Sequence, residues 1–359
     1  MKRLFTLLLL CSLTLSAKQV KTFYGFIEVE EPVLLELIEC KSMQRLKDVH
    51  QYGVSYYTTH KEEYNRYDHS LGVFAVLRKN GASVKEQIAG LLHDVSHTTF
   101  SHVGDWIYEM EYGEKDYQNS IHIQFLENCE IKEILEKYGY TTKEVDPIHE
   151  LFPALECSLP HLCADRIDYN IQGAYYQNFI TYDQAIEIFH GLKYVDGIWI
   201  SEDIELMKKL TLFSIFMSED CWGSPFNHFQ SRWLSDAILH LHKIGAISSE
   251  LIQQGKDHEL WTILKEYPDP IVKEKLYHVE NSKEIVCLCS EQNADQIVKS
   301  KFRGINPWIL LGEKVFLLTD VDPEISEKFN HSKKLHENGW PVKLKTPKRV
   351  QKETCKQGV

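Results

Sequence analysis

Apolar residues recur at the spacing of an α-helix through the first two thirds of the chain. Residues 24–30 instead alternate between apolar and polar, which predicts a strand, and Pro32 begins an amphipathic helix that ends at Glu39. Further helices are predicted at roughly 42–50, 65–79, 84–94, 101–110, 117–128, 131–138, 159–175, 182–190, 203–218 and 228–244. An Asp-Gly turn within 194–200 predicts a small β-hairpin. The pattern therefore predicts one mainly α domain over 18–244.

The pattern changes after residue 244, where helix and strand signals alternate over short distances. We expect a helix near 258–266, a break at Pro268-Asp269-Pro270, strands near 284–289 and 314–319, and a helix near 323–337. The last residues are rich in lysine and arginine. The sequence thus predicts a smaller C-terminal α+β region over 245–342 and a solvated basic tail over 343–359, with anion binding by the tail as the alternative.

The first seventeen residues have the three parts of a secretory signal peptide in order. Lys2 and Arg3 precede an apolar run to Leu15, and the small residues Ser16 and Ala17 follow. We therefore predict cleavage of residues 1–17 and export to the periplasm or the medium. A buried or interfacial helix in a cytoplasmic protein is the alternative, and nine scattered cysteines without a Cys-x-x-Cys pair favour it. No later stretch is long enough to predict a membrane span.

Composition and charge limit the kinds of molecule that the protein could bind. The 359 residues are 43% hydrophobic and 26% charged, as in a globular enzyme-sized protein. The net charge of -12 disfavours nucleic acid as a partner. A small anionic substrate is still compatible, because a metal and a few basic side chains can reverse the field locally. Seventeen histidines are many for this length and suggest metal or acid-base chemistry.

Imidazoles and carboxylates are concentrated on three of the predicted helices. His69 lies on one helix, and the adjacent His93 and Asp94 lie at the end of the next. Side chains from antiparallel helices can meet in the groove between them, where nitrogen and oxygen ligands suit a divalent ion. A later helix offers Asp165 as a fourth ligand and places Arg166 beside it as an anion clamp.

Together these residues form a recognisable pattern of Arg66-x-x-His69, His93-Asp94 and Asp165-Arg166-x-Asp168-Tyr169. Over about residues 24–242 the chain resembles the HD-domain metal-dependent phosphohydrolases, and within them the deoxynucleoside triphosphate triphosphohydrolases. The resemblance implies an HD-domain helical bundle. It also implies a divalent ion (iron, manganese, zinc or magnesium) with His69, His93, Asp94 and Asp165 as its ligands.

The resemblance further implies roles around the metal. The implied substrate contacts are Arg66 and Arg166 at the phosphates, Gln51 at the sugar and Tyr169 at the nucleoside end. His97 and His102 match histidines that line the phosphate channel, and we expect them to be catalytic. A protonated His102 would assist the leaving oxygen, and Asp105, one helical turn further on, would orient its imidazole. Each has a plainer interpretation: the arginines could pair with Asp68 or Asp168, Ser101-His102 could cap a helix, and Tyr169 could belong to the core.

The chain also departs from the family pattern. Residues 95–99 lack two glycines and a proline that the family carries, and Tyr117-Gln118 stands where a His-Glu pair is expected, with His122 nearby as a substitute. Ser218 replaces a phosphate-binding arginine and Phe226 a sugar-stacking tyrosine. The loss of one positively charged side chain weakens the case for a triphosphate substrate.

The leading hypothesis is therefore a metal-dependent phosphohydrolase that acts on a nucleotide-like phosphate ester, including the cleavage of a deoxynucleoside triphosphate to deoxynucleoside and triphosphate. One alternative is a phosphatase or phosphodiesterase of the same fold with another phosphorylated metabolite. The other is a nucleotide-binding module without turnover. Assembly into a homo-oligomer is a further expectation from the resemblance.

Overall fold

The computed structural model describes residues 17–59, 63–112 and 117–345, with only the backbone described at 109–112. Residues 1–16 of the predicted signal peptide and 346–359 of the predicted tail lie outside the described residues. Export and the role of the tail therefore stay predictions. None of the helices in the described part of the chain combines the length and apolar character that a bilayer crossing needs.

As predicted, the chain up to residue 244 is mainly helical. A short antiparallel pair, β1 (Lys18–Thr22) and β2 (Gly25–Val29), comes first. The helices are α1 (Pro32–Glu39), α2 (Lys41–Arg45), α3 (Val54–Thr59), α4 (Arg66–Lys79), α5 (Val84–Leu92), α6 (Val103–Tyr112), α7 (Tyr117–Glu127), α8 (Glu130–Lys137), α9 (Ala164–Tyr176), α10 (Tyr182–Gly191), α11 (Ile204–Asp220) and α12 (Pro225–Lys243). The predicted hairpin is confirmed as β3 (Lys193–Val195) and β4 (Ile198–Ser201), and both turn residues have positive φ.

Three helices, α4, α5 and α9, determine where the central side chains lie. Asn65 caps the start of α4 by accepting a hydrogen bond from the Asp68 backbone N–H. Most of α4 is buried because α5 and α9 both pack against it. Gly72 allows α9 to approach closely, since a Cβ at this position would overlap the Asp168 carboxylate. The backbones of α4 and α9 are thereby held close together.

The chain after residue 244 also mixes helices and short strands, as predicted. The helices are α13 (Ser249–Gln254), α14 (Asp257–Glu266), α15 (Pro270–Glu280), α16 (Ser282–Ile285), α17 (Leu318–Val321) and α18 (Pro323–Asn338). The strands are β5 (Val286–Leu288), β6 (Gln296–Val298), β7 (Trp308–Leu311), β8 (Lys314–Leu317) and β9 (Trp340–Leu344). The pattern missed α15 because Pro268-Asp269-Pro270 was interpreted as a break. Asp269 instead caps α15, and Pro270 is its first residue.

Two sheets join parts of the chain that are far apart in sequence. One has the order β3-β4-β7-β8, in which β4 and β7 pair in parallel. The other has the order β5-β9-β6 and is antiparallel. Both hydrophobic cores also contain residues from before and after residue 245. The C-terminal residues therefore share both cores with the preceding part of the chain, and α15 and α18 pack on α12 and α11.

Asp257, the first residue of α14, ties the C-terminal part to two loops near that pattern. Its carboxylate is fully buried. One oxygen accepts a hydrogen bond from the Phe100 N–H at 2.6 Å, and the other accepts one from the His50 N–H at 2.9 Å. Because both N–H groups would otherwise lack a partner away from water, this carboxylate stabilises the loop conformations.

Asp257 also predicts a pH dependence of stability. Burial raises its pKa to about 6, compared with about 3.9 in an unfolded chain. As the pH rises from about 4 to about 6, the unfolded chain ionises first and the folded state loses stability. Relative to Asp257→Asn, the wild-type free energy of unfolding should fall by about 1 kcal/mol between about pH 5 and pH 7, as measured by urea titration. A constant difference across this range would contradict the assignment.

Candidate metal centre and active site

Three of the four side chains predicted as metal ligands, His69, His93 and Asp165, meet at one point between α4, α5 and α9, and Asp94 lies beside them. His69 Nε2 lies 2.9 Å from Asp165 Oδ1, 3.2 Å from His93 Nε2 and 3.7 Å from Asp94 Oδ2. His93 Nε2 lies 3.5 Å from the nearest oxygen of each aspartate. Donor atoms that share one ion at about 2.1 Å lie roughly 3.0–3.4 Å from one another. The separations of 2.9–3.5 Å among His69, His93 and Asp165 are close to this range and suit one cation, with Asp94 adjacent to it.

Hydrogen bonds on the far sides of both imidazoles direct their Nε2 atoms inward. His69 Nδ1 lies 2.7 Å from Asp168 Oδ2, and His93 Nδ1 lies 2.8 Å from the Gly90 carbonyl oxygen. Each partner is an acceptor, so each Nδ1 carries the proton and each Nε2 is free to bind a metal. Two imidazoles and two carboxylates form a donor set that suits iron, manganese or zinc.

Asp168 is the orienting residue that sequence reasoning missed. Its carboxylate is completely buried and accepts hydrogen bonds from the Tyr24 hydroxyl at 2.7 Å and from Gln172 Nε2 at 2.9 Å, in addition to His69. The sequence did indicate this role, because Asp168 lies about one helical turn after Asp165 and therefore near the same face of α9.

The electrostatics of the centre favour positive charge. Burial lowers the pKa of His69, but hydrogen bonds to Asp165 and Asp168 outweigh burial and raise the pKa to about 10. Burial would raise the pKa of Asp94, yet the positive charge of Arg66 outweighs it and holds this pKa well below its usual range. A site that stabilises a proton this strongly also suits a divalent cation. The side chain of Asp165 is 22% exposed, the largest exposed fraction among the four, which leaves an approach from solvent.

The two arginines predicted at the phosphates are engaged by protein groups. Arg66 Nη1 donates to Asp94 Oδ2 at 2.6 Å, and its Nε donates to Ser101 Oγ at 3.0 Å. It therefore pairs with Asp94 rather than with Asp68. Arg166 donates to the carbonyl oxygens of two loop residues, Cys157 at 2.7 Å and His161 at 2.8 Å, so it does not pair with Asp168.

A line of polar side chains leads away from the metal ligands. His97 Nε2 lies 3.2 Å from Asp94 Oδ1, and the rings of His97 and His102 are 5.0 Å apart. His102 Nδ1 lies 2.9 Å from Asp105 Oδ2, the pairing that the sequence predicted. Burial, together with Arg66, lowers the pKa of His97 to about 3, so this imidazole is neutral at pH 7. The side chain of His102 is 59% exposed and is the accessible histidine of the line.

Gln51 and Tyr169, predicted at the sugar and the nucleoside, lie near the centre. Gln51 Oε1 is buried and has no hydrogen-bond partner among the described residues, and the Gln51 carbonyl oxygen accepts from Arg66. The half-buried ring of Tyr169 lies 6.4 Å from the His69 ring and 5.7 Å from the Trp222 ring. The structure thus places both residues close to the predicted metal ligands.

The residues at which the chain departs from the family pattern make contacts within the protein. Gln118, where a His-Glu pair was expected, donates to the His93 carbonyl oxygen at 2.9 Å and to Ser96 Oγ at 3.0 Å. His122 is buried, contacts Ser96 Oγ through Nδ1 and has a pKa lowered to about 4 by burial. Both residues therefore support the loop that carries His93.

The structure also brings Glu156 to the centre, which the sequence pattern did not suggest. Ligand atoms of Glu156, Cys163 and Asp165 all lie within 4.8 Å of one another. Burial, with the nearby charge of Asp165, raises the pKa of Glu156 to about 7. Glu156 lies in the loop before α9, where no periodic pattern in the sequence indicates a functional residue.

Comparison with known proteins agrees with this geometry. Residues 66–151 match the HD domain family model, a range that includes three of the four predicted ligands. The chain is 32% identical to the uncharacterized protein YdhJ of Bacillus subtilis, over 82% of this chain and 89% of that protein. It is 30% identical to the metal-dependent phosphohydrolase cns2 of Cordyceps militaris, over 72% of this chain and 75% of that protein.

More distant similarities extend the comparison. Human deoxynucleoside triphosphate triphosphohydrolase SAMHD1 is 29% identical over 34% of this chain and 22% of that protein. The crystal structure of a phosphohydrolase from Bacteroides thetaiotaomicron has a TM-score of 0.65 at 17% identity, over 85% of this chain and 94% of that one, and shares the fold. From the HD-domain match and the extensive similarity to cns2, it follows that the chain belongs to the HD-domain metal-dependent phosphohydrolases.

Proposed function

We propose that the chain hydrolyses a nucleotide-like phosphate ester and that a deoxynucleoside triphosphate, cleaved to deoxynucleoside and triphosphate, is the substrate to test first. One observation carries the proposal. Asp94 lies at the metal site and also contacts His97, beyond which His102 is exposed and bonded to Asp105. A cation site and an accessible imidazole are thereby placed side by side. The partial similarity to SAMHD1 supports the choice of substrate.

The residues around the metal have distinct roles in this mechanism. When bound by His69, His93, Asp94 and Asp165, a divalent ion would polarise the phosphoryl group and lower the pKa of water. Arg66 neutralises and orients Asp94, to which it donates at 2.6 Å.

On the side of the leaving group, Asp105 accepts the Nδ1 proton of His102, and this bond orients the ring. In the imidazolium form of His102 the other ring nitrogen also carries a proton, which can be transferred to the leaving oxygen. His97 is neutral and does not supply that proton, because its pKa is far below neutral. His102 is therefore the candidate acid, and the metal ligands would hold the ion that activates the phosphoryl group.

A second candidate has a specific observation in its favour. Arg66 and Arg166 both donate to protein acceptors, and Ser218 is a small buried residue where an arginine was expected. A site with fewer available cations suits a substrate with fewer phosphates. The alternative is therefore a phosphatase or phosphodiesterase of the same fold that acts on another phosphorylated metabolite.

Product analysis distinguishes these functions. The full chain would be incubated with manganese, iron or magnesium and with nucleoside mono-, di- and triphosphates, and the products separated by chromatography. We expect deoxynucleoside and intact triphosphate in equal amounts, with a chelator-treated sample as the blank. Release of orthophosphate would favour the second candidate. Absence of turnover in a metal-loaded protein would contradict both and favour a binding module.

A further inference from the structure

Residues 299–307 have no regular secondary structure, yet their backbone is fixed along α11. The Arg303 N–H donates to Ser218 Oγ at 3.3 Å, and the Ile305 N–H donates to Ser214 Oγ at 3.0 Å. Two serines one turn apart on α11 thus hold alternate residues of the segment. Ser300 makes a third anchor, because its hydroxyl donates to the Gly223 carbonyl oxygen at 2.7 Å.

The small side chain of Ser218 is necessary for this arrangement. Ser218 is fully buried, and its hydroxyl contacts both the Ser214 carbonyl oxygen and the Arg303 backbone. A long side chain at this position would occupy the volume that the segment takes. The family pattern has an arginine at the position of Ser218. In this chain the segment that carries Arg303 therefore occupies the space next to residue 218 that an arginine side chain would need.

The side chain of Arg303 is half-buried and close to the candidate site. Ser300 of the same segment donates to the Gly223 carbonyl oxygen, and the ring of the adjacent Trp222 lies 5.7 Å from the ring of Tyr169, so the segment lies beside Tyr169. In agreement with this placement, burial raises the pKa of Tyr169 and the positive charge of Arg303 opposes the rise. Tyr169 in turn lies beside His69. Within residues 17–59, 63–112 and 117–345, the Arg303 guanidinium has no hydrogen bond or ion pair, in contrast to Arg66 and Arg166.

An anionic substrate needs a cation that is not already paired. The chain has a net charge of -12, and Arg66 and Arg166 each donate to protein acceptors at 2.6–2.8 Å. A guanidinium is well suited to phosphate because it presents parallel N–H donors and stays charged at any physiological pH. We propose that Arg303, held against Ser218 beside Tyr169, binds the substrate phosphates that do not contact the metal.

This inference rests on the proposed function, and it specifies the number of phosphates. A substrate with one phosphate would place that group at the metal and leave Arg303 without a partner. A substrate with two or more phosphates would reach it. The contribution of Arg303 to binding should therefore increase with the number of phosphates, which a purely structural role would not produce.

The test compares Arg303→Gln and Arg303→Lys with a matched control, Lys299→Gln, which removes one positive charge from an exposed position in the same segment. Binding of inorganic tripolyphosphate and of orthophosphate to the full chain would be measured by calorimetry, with Mn²⁺ in excess of both. We expect Arg303→Gln to weaken tripolyphosphate binding by about tenfold or more and orthophosphate binding by less than about twofold. Arg303→Lys should recover part of the loss, and Lys299→Gln should behave as wild type.

The outcomes separate the two proposals. Tripolyphosphate binding by Arg303→Gln that equals wild type, with unchanged Mn²⁺ binding and melting temperature, would overturn the role of Arg303. Equal losses for tripolyphosphate and orthophosphate would overturn it as well. If the wild type turns over no nucleotide while Arg303→Gln still loses tripolyphosphate binding, the proposed substrate is wrong and the phosphate site stands.

Discussion

We expect replacement of Asp94 with asparagine to remove the metal and to lower kcat by about 10³-fold or more, since the ion would supply several kcal/mol of transition-state stabilisation and each 1.4 kcal/mol is a factor of ten. Asp94 should have this effect because its two oxygens face four side chains at once. Oδ2 accepts from Arg66 at 2.6 Å, Oδ1 lies 3.2 Å from His97 Nε2, and both face the imidazoles of the centre. An amide has one acceptor oxygen and no charge, so it cannot replace these contacts.

Asparagine is preferred to alanine because it keeps the volume beside Arg66, whose buried charge would otherwise lose its partner. Metal content would be measured by mass spectrometry and turnover by product chromatography. Asp68→Asn is a suitable control, since Asp68 lies on the same helix one residue before His69 and Arg66 does not pair with it. Full metal content in Asp94→Asn would contradict the ligand assignment.

Replacing Asp168 with asparagine should weaken metal binding by about 10–100-fold, the usual effect of losing the acceptor behind a histidine ligand. Asp168 fixes the His69 ring through the 2.7 Å contact to Nδ1 and is itself completely buried. The NH₂ group of an asparagine would face the donors of Tyr24, Gln172 or His69. We therefore also expect the free energy of unfolding to fall by about 3–5 kcal/mol, as for other broken buried charge pairs.

Tyr24→Phe provides the comparison for Asp168. It removes one hydrogen bond to the same carboxylate and leaves the His69 contact in place. We expect it to lower the free energy of unfolding by about 1–2 kcal/mol and to change metal affinity little. Urea unfolding and metal titration of both variants separate the two effects. If Asp168→Asn binds metal as tightly as wild type while losing stability, Asp168 has only a structural role.

Local sequence signals predicted most of the helices and the meeting of His69, His93 and Asp165. Helices α4 and α5 begin at the N-caps Asn65 and Ser83, and α5 also has an amphipathic period, so where they begin is encoded nearby. His69 and the His93-Asp94 pair then follow from two helices that pack against each other. The short strands were harder to predict, because β6 and β9 are stable only through partners distant in sequence.

The partners of individual polar groups could not be predicted from sequence. Arg166 was expected at the phosphates, yet the loop before α9 turns its carbonyl oxygens of Cys157 and His161 toward it. Arg303 was outside the recognised pattern, and only the docking of residues 299–307 on α11 shows its proximity to Tyr169. Such pairings depend on where loops pack, which no periodicity encodes.

The parallel pairing of β4 with β7 also has a consequence for synthesis on the ribosome. Ser201 pairs with Ile309 only after α11 to β6 have been translated, whereas all four candidate ligands precede β3 in the chain. Long-range pairing is slow, and chains fold from the N-terminal side as they emerge. The nascent chain therefore exposes its metal-binding side chains well before the segment that carries Arg303 can dock. We therefore expect metal binding at the candidate ligands to precede the docking of Arg303.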